Sequence, residues 1–142
     1  VKSRSNTSNH ILTDSVRLAG NVLFSNLTND EADNTGFFTS FETNGFNLAQ
    51  NGGDTNADGY TYVAWNWKAG GAPSADNSAG ASAVPTDGSA KIDGSNATAS
   101  FAGTIPVTRL SANTTSGFSI AYFTMYTNNP RIDNFVSDNV MS

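Results

Sequence analysis

Residues 59–71 read GYTYVAWNWKAGG, and this stretch decides the class of fold that the chain can adopt. Its residues alternate strictly, so a β-strand over Tyr60–Trp67 turns two sets of side chains to opposite faces. Aromatic and β-branched residues favour strands, and glycines bound the run on both sides. One face carries Tyr60, Tyr62, Ala64 and Asn66, and the other carries Thr61, Val63, Trp65 and Trp67. The pattern therefore predicts a central strand with both tryptophans of the chain on one face.

The two tryptophans allow two interpretations. In the first, Trp65 and Trp67 form a stacking platform for sugar rings together with Tyr60 and Tyr62, because two residues of a strand advance by roughly 7 Å. In the second, the central strand buries its indoles in the core, where large aromatic side chains contribute most to packing. We favour the core. In that case truncation of Trp65 would cost roughly 3–5 kcal/mol and unfold the domain.

Shorter strand-like runs recur along the rest of the chain between turn-forming residues. Asn44-Gly45 predicts a β-hairpin, because both residues tolerate a positive φ. Helix signals are weak: 14–23 could hold one short turn with Asp14 or Ser15 as its N-cap, and 26–34 could hold another. The predicted strands are Ile11–Asp14, Asn21–Phe24, Gly36–Phe41, Gly45–Leu48, Tyr60–Trp67, Ile105–Leu110 and Gly117–Met125. We therefore expect an all-β, antiparallel β-sandwich, jelly-roll-like, with long Gly/Ser/Asn-rich loops and at most short helices.

The length of 142 residues suits one compact domain. We expect the β-sandwich to span residues 1–125 and the C-terminal tail, 126–142, to pack on a neighbouring subunit. The stretch at about 69–102 is rich in Ala, Gly and Ser and reads as a long exposed loop or insertion, with a flexible linker as the alternative. Lys91–Asp93 and Thr98–Phe101 favour the loop, because they can pair as a short hairpin.

The charge of the chain excludes some classes of partner. Charged residues make up 13% of the sequence, and the net charge is -5. The seven basic residues lie scattered between Lys2 and Arg131, so no basic stripe can neutralise a phosphate backbone. No apolar run is long enough to cross a bilayer. Cysteine is absent, which excludes disulfides, thiolate metal sites and a cysteine nucleophile. We expect no nucleic-acid partner and no membrane insertion.

The loop before the tryptophan strand contains half of a calcium-binding pattern. Asp54, Asn56 and Asp58 place oxygen ligands at alternate positions, and Gly59 suits the sharp turn. The second half of the pattern fails, because Trp65 stands where a bidentate glutamate belongs. We favour a polar turn that enters the strand and expect no cofactor. Calcium stays open if a carboxylate from elsewhere completes the coordination shell.

The residues for catalysis are few. His10 is the one histidine, and Asp14 follows it four residues later, but no Gly-x-Ser-x-Gly elbow is present to supply a nucleophile. Glu31 and Glu42 are the two glutamates, and no aspartate stands in a context that indicates glycoside hydrolysis. We predict no catalytic residues and no enzyme.

A set of motifs between Lys2 and Thr124 carries a family resemblance. The motifs are Lys2–Arg4, Thr13–Arg17, Leu23–Asn29, Thr39–Phe41, Asn44–Phe46, Tyr60–Gly71 and Ser111–Ile120, and the run YVAWNWKAG among them is fairly specific. In this order they resemble a domain found in large virion-associated proteins of marine tailed bacteriophages, which often carry lectin-like or concanavalin-like jelly-roll modules upstream. Asp87–Ala102 looks like an insertion into the pattern, and the tail from Tyr126 does not continue it.

The resemblance implies a place in the virion and no catalytic motif. We expect a non-enzymatic structural protein of a bacteriophage particle, with a tail fibre or spike role in host-surface attachment as the favoured interpretation. Its partners would be other virion proteins, copies of itself and a host surface glycan. The alternatives are a capsid-decorating or head-fibre protein and an extracellular carbohydrate-binding module.

Overall fold

The computed structural model describes residues 1–50, 52–77, 84–101 and 107–124, and the regular elements among them are β-strands. The chain divides into two compact units, Val1–Asn66 and Trp67–Ser142. The all-β, sandwich-like class predicted from the sequence is confirmed. The described residues form no helix with the length and apolar character that a membrane span requires.

The described part of the first unit forms three small antiparallel sheets. The predicted strands at Ile11–Asp14 and Gly45–Leu48 are confirmed residue for residue. The three sheets are β2 (Ile11–Asp14), β3 (Leu18–Phe24) and β4 (Ala32–Asp33); β5 (Phe38–Glu42) and β6 (Gly45–Leu48); and β1 (Lys2–Ser3) with β7 (Tyr62–Val63). In β6, half-buried Phe46 and Leu48 alternate with exposed Gly45 and Asn47, as expected for a strand with one face covered.

The core of the first unit lies between β2, β3 and β5. Ile11, Val22 and Phe38 are buried, and half-buried aromatic side chains pack around them. The ring centroids of Phe38 and Phe46 lie 5.1 Å apart, while Phe24 meets Phe37 edge to face at 6.5 Å. Aromatic pairs of this kind contribute about 0.5–1.5 kcal/mol each beyond their buried area.

The segment Asp14–Leu23 contains no helical turn, contrary to the prediction. The backbone N–H groups of Val16 and Arg17 donate to Asp14 Oδ1 at 3.0 and 2.9 Å, which closes an Asx-type turn. Leu18 follows with a φ of 78° and starts β3. The side chain that was expected to cap a helix therefore closes a β-hairpin. The polar stretch 26–34 likewise contains a strand, β4, rather than a helical turn.

The strand predicted for Tyr60–Trp67 is reduced to the two residues of β7. Its partner β1 offers Lys2 and Ser3 for pairing, with Lys2 opposite Val63 and Ser3 opposite Tyr62. One further bond, from Arg4 N to Thr61 O at 2.7 Å, extends the contact by a residue. The pairing thus covers two residues of the alternating run, and residues 64–67 have no strand partner.

The second unit contains a four-stranded sheet among its described residues. The strand order is β11 (Phe118–Tyr122), β10 (Arg109–Asn113), β8 (Ala90–Ile92) and β9 (Ser95–Asn96). Two pairings are antiparallel and one, β8 with β10, is parallel. Its buried core consists of Ala90, Val107, Leu110 and Ala112. Asn77 Nδ2 donates a hydrogen bond to the backbone oxygen of Val107 at 3.2 Å.

Several predictions for the second half of the chain are changed or untested. The expected loop at about 69–102 carries the β8–β9 hairpin, in which Lys91 pairs with Asn96 rather than with Thr98–Phe101. The strand predicted from Ile105 starts at Arg109 among the described residues, and β11 covers most of the strand predicted for Gly117–Met125. The tail 126–142 and its expected packing on a neighbouring subunit lie outside the described residues. The assignment of 1–125 to one domain stays a prediction.

Candidate functional site

The interpretation of the tryptophans as core residues is wrong. Trp65 is 60% exposed and Trp67 is 62% exposed. Both follow the end of β7, in a segment without strand pairing, so no sheet places their indoles against a core. Trp67 and Phe118 both belong to the second unit, and their rings stack with centroids 6.0 Å apart and planes 21° from parallel. The two largest side chains of the chain therefore face the surface.

The two predicted tyrosines have different roles. Tyr62 is half-buried, and its hydroxyl oxygen accepts a hydrogen bond from the backbone N–H of Ala57 at 2.9 Å. Tyr60 is 45% exposed. The next residue, Thr61, donates its backbone N–H to Ser5 Oγ at 2.9 Å, which fixes the chain beside Tyr60. Tyr62 thus holds the loop together, while Tyr60 is available to a ligand.

The loop Gly52–Gly59 is held in place by its own polar groups. The backbone N–H groups of Thr55 and Asn56 both donate to Gly52 O, at 3.0 and 2.6 Å. Gly52 itself has no room for a side chain, since a Cβ there would lie 2.5 Å from Gly36 O. Asp54 accepts two hydrogen bonds from Asn9, at 3.1 Å from its backbone N–H and 3.2 Å from Nδ2. These contacts fix both ends of the turn.

The predicted calcium ligands Asp54, Asn56 and Asp58 do not gather as a carboxylate site. Asp54 is engaged by Asn9, and the Asn56 amide donates from Nδ2 to Ala49 O at 3.1 Å. Within the described ranges no group of three or more His, Cys, Asp or Glu side chains is placed to hold a metal ion. The interpretation of this segment as a polar turn accounts for its contacts.

A cavity of about 440 Å³ lies where this loop meets Tyr60, and we call it the Tyr60 cavity. It is lined by Gln50, Asn56, Ala57, Asp58, Gly59 and Tyr60. Three of these residues carry polar side chains, one of them a carboxylate, and Tyr60 supplies the aromatic ring. Among the described residues, the side chains of Gln50 and Asp58 have no hydrogen-bond or ion-pair partner. The cavity can therefore offer donors, acceptors and an aromatic surface to a small polar molecule.

The structure brings together part of the predicted site and adds one residue. Asn56, Asp58 and Tyr60 line one cavity, although the sequence assigned them to two separate sites. Gln50 was missed, because it lies before the turn and becomes a neighbour only when the turn closes. Its signal in the sequence is weak: an amide side chain next to the Gly-rich turn that leads to an aromatic residue.

The residues considered for catalysis are not arranged for it. The Asp14 carboxylate accepts hydrogen bonds from the backbone N–H groups of Val16 and Arg17 and, at 2.7 Å, from Arg17 Nε. It therefore pairs with arginine rather than with His10. His10 is exposed, and its backbone N–H donates to Asn26 Oδ1 at 2.9 Å. A second arginine contact, from Arg17 Nη1 to Glu31 at 3.0 Å, completes a partly buried ion-pair cluster.

A family model matches the N-terminal part of the chain. Residues 1–93 match the model of a family described as "Domain of unknown function (DUF7483)". The match covers the first unit and continues through β8 to the turn that follows it. No curated protein and no solved structure matches the chain.

Proposed function

The chain belongs to the DUF7483 family, and we propose that it is a non-enzymatic structural protein of a bacteriophage virion. Its role in this proposal is that of a tail fibre or spike component that contributes to attachment of the particle to the host surface. The virion location rests on the resemblance of its motifs to marine phage proteins. The attachment role rests on the surface of the molecule, and its location would be the extracellular particle.

One observation carries the attachment role: each unit exposes a tryptophan. Trp65 in the first unit and Trp67 in the second are both more than half exposed. Large aromatic side chains are costly to leave in water and are enriched in binding surfaces, where they supply contact area at a low entropic cost.

The charge and composition of the chain fit weak binding to neutral ligands. The net charge is -5, and Asn, Ser, Thr and Gly fill the loops around the exposed aromatic residues. In this proposal each copy binds its ligand weakly through a single site. Copies of the chain arranged symmetrically on a particle would raise the overall avidity by about 10²–10⁴. Other virion proteins and copies of the chain are therefore its expected partners.

A second candidate, an extracellular carbohydrate-binding module, is favoured by the Tyr60 cavity. Amide and carboxylate side chains around one aromatic ring form the kind of lining that holds polar small molecules. Both candidates bind a carbohydrate. They differ in location, which is the phage particle for host attachment and the extracellular medium for the carbohydrate-binding module.

The location is tested on a phage that encodes the chain. Particles purified through a density gradient should contain the chain by mass spectrometry, and a gold-labelled antibody should mark the tail fibres or spikes. A label on the head would support the capsid-decorating alternative. Absence of the chain from infectious particles would refute the proposal and leave the carbohydrate-binding module.

The attachment role is tested with the labelled chain, either alone or coupled four to one on streptavidin. The tetramer should bind host cells at least about 10²-fold more tightly than the monomer. Trp65→Ala should weaken this binding, while the control Leu18→Ala should not, since Leu18 is an apolar residue of similar exposure, 56%, in the same unit. Equal binding of both variants would refute a role for the tryptophan.

A further inference from the structure

We propose that the Tyr60 cavity binds a neutral saccharide directly, without a bridging metal ion. This inference rests on the proposed function, because it names the class of ligand that the attachment surface recognises and the residues that recognise it. The residues are Gln50, Asn56, Asp58 and Tyr60.

The size of the cavity suits a small sugar. Its volume of about 440 Å³ lies within the range of about 300–1,000 Å³ that small-molecule sites occupy. The Tyr60 cavity is a broad depression that is widely open to solvent, so a terminal sugar of a longer glycan can contact it while the remainder of the glycan stays outside. An open site of this kind gives weak binding, which is what a multivalent particle needs.

The polar groups of the cavity match adjacent hydroxyl groups. A carboxylate accepts two hydrogen bonds at once, and Asp58 has no partner among the described residues. Gln50 offers both a donor and an acceptor from its amide. Asn56 Nδ2 donates a hydrogen bond to Ala49 O, which orients the amide group. The Oδ1 atom of Asn56 can accept a hydrogen bond from a ligand hydroxyl group. A sugar with neighbouring hydroxyl groups can satisfy all three side chains, whereas a purely apolar ligand would leave them desolvated and unpaired.

Tyr60 supplies the aromatic group. The C–H groups of a pyranose ring form an apolar patch that packs on an aromatic face, and the exposed Tyr60 is the aromatic residue of this lining. Ordering of the side chain on binding is inexpensive, because tyrosine has two rotatable side-chain bonds. Removal of the ring should therefore affect sugar binding more than removal of any single hydrogen-bonding group.

The walls of the cavity are fixed before a ligand arrives. The Gly52 carbonyl holds Asn56 through its backbone N–H, and the Tyr62 hydroxyl holds Ala57 in the same way. Thr61, the residue after Tyr60, donates its backbone N–H to Ser5 Oγ and accepts a hydrogen bond from the backbone N–H of Arg4. A preformed site loses less conformational entropy on binding, which raises the affinity that a few contacts can give.

Charge and coordination chemistry restrict the ligand. Asp58 is the charged residue among the described lining residues, and none of those residues is basic. A negatively charged sugar would face like-charge repulsion without a cation to offset it. Calcium-mediated recognition needs several carboxylate or carbonyl ligands, whereas Asp54, the nearest other carboxylate in the loop, is engaged by Asn9. The expected ligand is neutral and its binding independent of calcium.

The test is a titration of the full chain with defined sugars by saturation-transfer NMR. The neutral probes are galactose, glucose, mannose and N-acetylglucosamine, and the anionic probes are glucuronic acid and glucose 6-phosphate. At least one neutral sugar should receive saturation on its ring protons, and the anionic probes should not. The signal should persist in excess EDTA. Absence of binding for all neutral probes, equal binding of the anionic ones, or loss of binding in EDTA would each refute the inference.

Matched variants assign the signal to the cavity. Tyr60→Ala should weaken binding at least about tenfold, and Tyr60→Phe should restore most of it, because the ring is retained. Tyr122→Ala is the control: Tyr122 is 44% exposed, almost the same as Tyr60, but lies in the other unit. Unchanged binding by Tyr60→Ala, or an equal loss in Tyr122→Ala, would refute the site. Asp58→Asn, which keeps the side-chain shape, tests the carboxylate if Tyr60→Ala does not fold.

Failure of this inference can be separated from failure of the proposed function. A chain that is present on the particle and adheres to host cells, but binds no neutral sugar, would leave attachment intact and refute the saccharide site. A chain that binds sugars through Tyr60 but is absent from particles would refute the virion role and keep the site.

Discussion

Trp65 shows that side-chain alternation in a sequence does not decide where a strand ends, because β7 ends at Val63. Its position in an alternating run placed it on the same side as Trp67, and that part of the pattern needs no tertiary information. Burial requires a second layer over that face. The chain around β7 forms a two-residue pairing with β1, and the indole remains at the surface.

The exposure of Trp65 gives a prediction for stability. Trp65→Ala should change the free energy of unfolding by less than about 1 kcal/mol, because the removed side chain is already largely in water. Phe38→Ala in the same unit should cost about 3–5 kcal/mol, since Phe38 is 3% exposed and contacts the rings of Phe41 and Phe46. Urea titration followed by circular dichroism measures both. A loss above about 3 kcal/mol for Trp65→Ala would restore the core interpretation.

Asp93 gives a prediction for pH dependence. The side-chain hydroxyl of Thr114 and then its backbone N–H hold the pKa of Asp93 below its usual value of 3.8. The folded chain therefore binds this proton less readily than the unfolded chain. The resulting stabilisation is fully present above about pH 4 and is lost as the pH falls through the lowered pKa.

Asp93→Asn removes that titration while it keeps a residue type that tolerates the positive φ of 50°. Melting temperatures measured in steps from about pH 6 to pH 2 should fall less steeply for this variant than for the wild type. Thr114→Val, which keeps the backbone N–H, should give an intermediate slope. Equal slopes for the wild type and Asp93→Asn would show that this contact does not contribute.

At the scale of elements, two hairpins show how different turns close similar strand pairs. In β8–β9, Ile92 pairs with Ser95, and Asp93 and Gly94 both have positive φ, as a type I′ turn requires. In β5–β6, Glu42 pairs with Gly45, so Thr43 and Asn44 form the turn, and Gly45 lies outside the left-handed region. The hairpin predicted from Asn44-Gly45 is confirmed. The prediction rested on a positive φ at both turn residues, and that conformation occurs at Asp93 and Gly94 in the other hairpin instead.

The two glycines form a matched pair for mutation. A Cβ added at Gly94 or at Gly45 meets no atom within 4 Å, so the two sites differ in backbone conformation rather than in space. Gly94→Ala should cost about 1–2 kcal/mol, because its φ is +90°. Gly45→Ala should be neutral or stabilise by up to about 1 kcal/mol, because the unfolded chain loses freedom. Thermal denaturation of both variants checks the difference, and equal effects would contradict the assigned turn.

At the scale of the whole molecule, the family match ends within a structural unit. The family model ends at Asp93, in the turn between β8 and β9. The strand that precedes this point, β8, pairs with β9 on one side and β10 on the other. Three of the four buried core residues of the second unit, Val107, Leu110 and Ala112, also follow it. The family region therefore contains one strand of a sheet that later residues complete.

A fragment of residues 1–93 tests this organisation. Strands β2, β3, β5 and β6 should keep slow amide exchange, because their core of Ile11, Val22 and Phe38 is intact. The amides of Ala90–Ile92 should exchange rapidly, because β9 and β10 are absent. Hydrogen exchange followed by NMR, with the full chain as the control, distinguishes these outcomes. Protection of Ala90–Ile92 equal to that in the full chain would contradict the assigned pairing.

Part of the Tyr60 cavity could be anticipated from the sequence, and part could not. Asn56, Asp58 and Tyr60 were recognised as polar or aromatic residues of a turn, because their types and spacing are local properties. Their meeting with Gln50 depends on the closure of the turn by Gly52 and on the position of β7 beside β1. Closure of the turn is local, but the pairing of β1 with β7 brings Lys2 opposite Val63, and a single sequence does not encode such a long-range contact in a readable pattern.

The amino-acid sequence by itself determined the all-β class and the strands Ile11–Asp14 and Gly45–Leu48. These follow from side-chain alternation and turn residues, which act over a few neighbouring positions. The tertiary structure alone decided that Ile11, Val22 and Phe38 are buried while Trp65 and Trp67 are exposed, and that β8 pairs in parallel with β10. Burial and parallel pairing depend on which distant segment packs against a face, and that choice is made by the free energy of the whole fold.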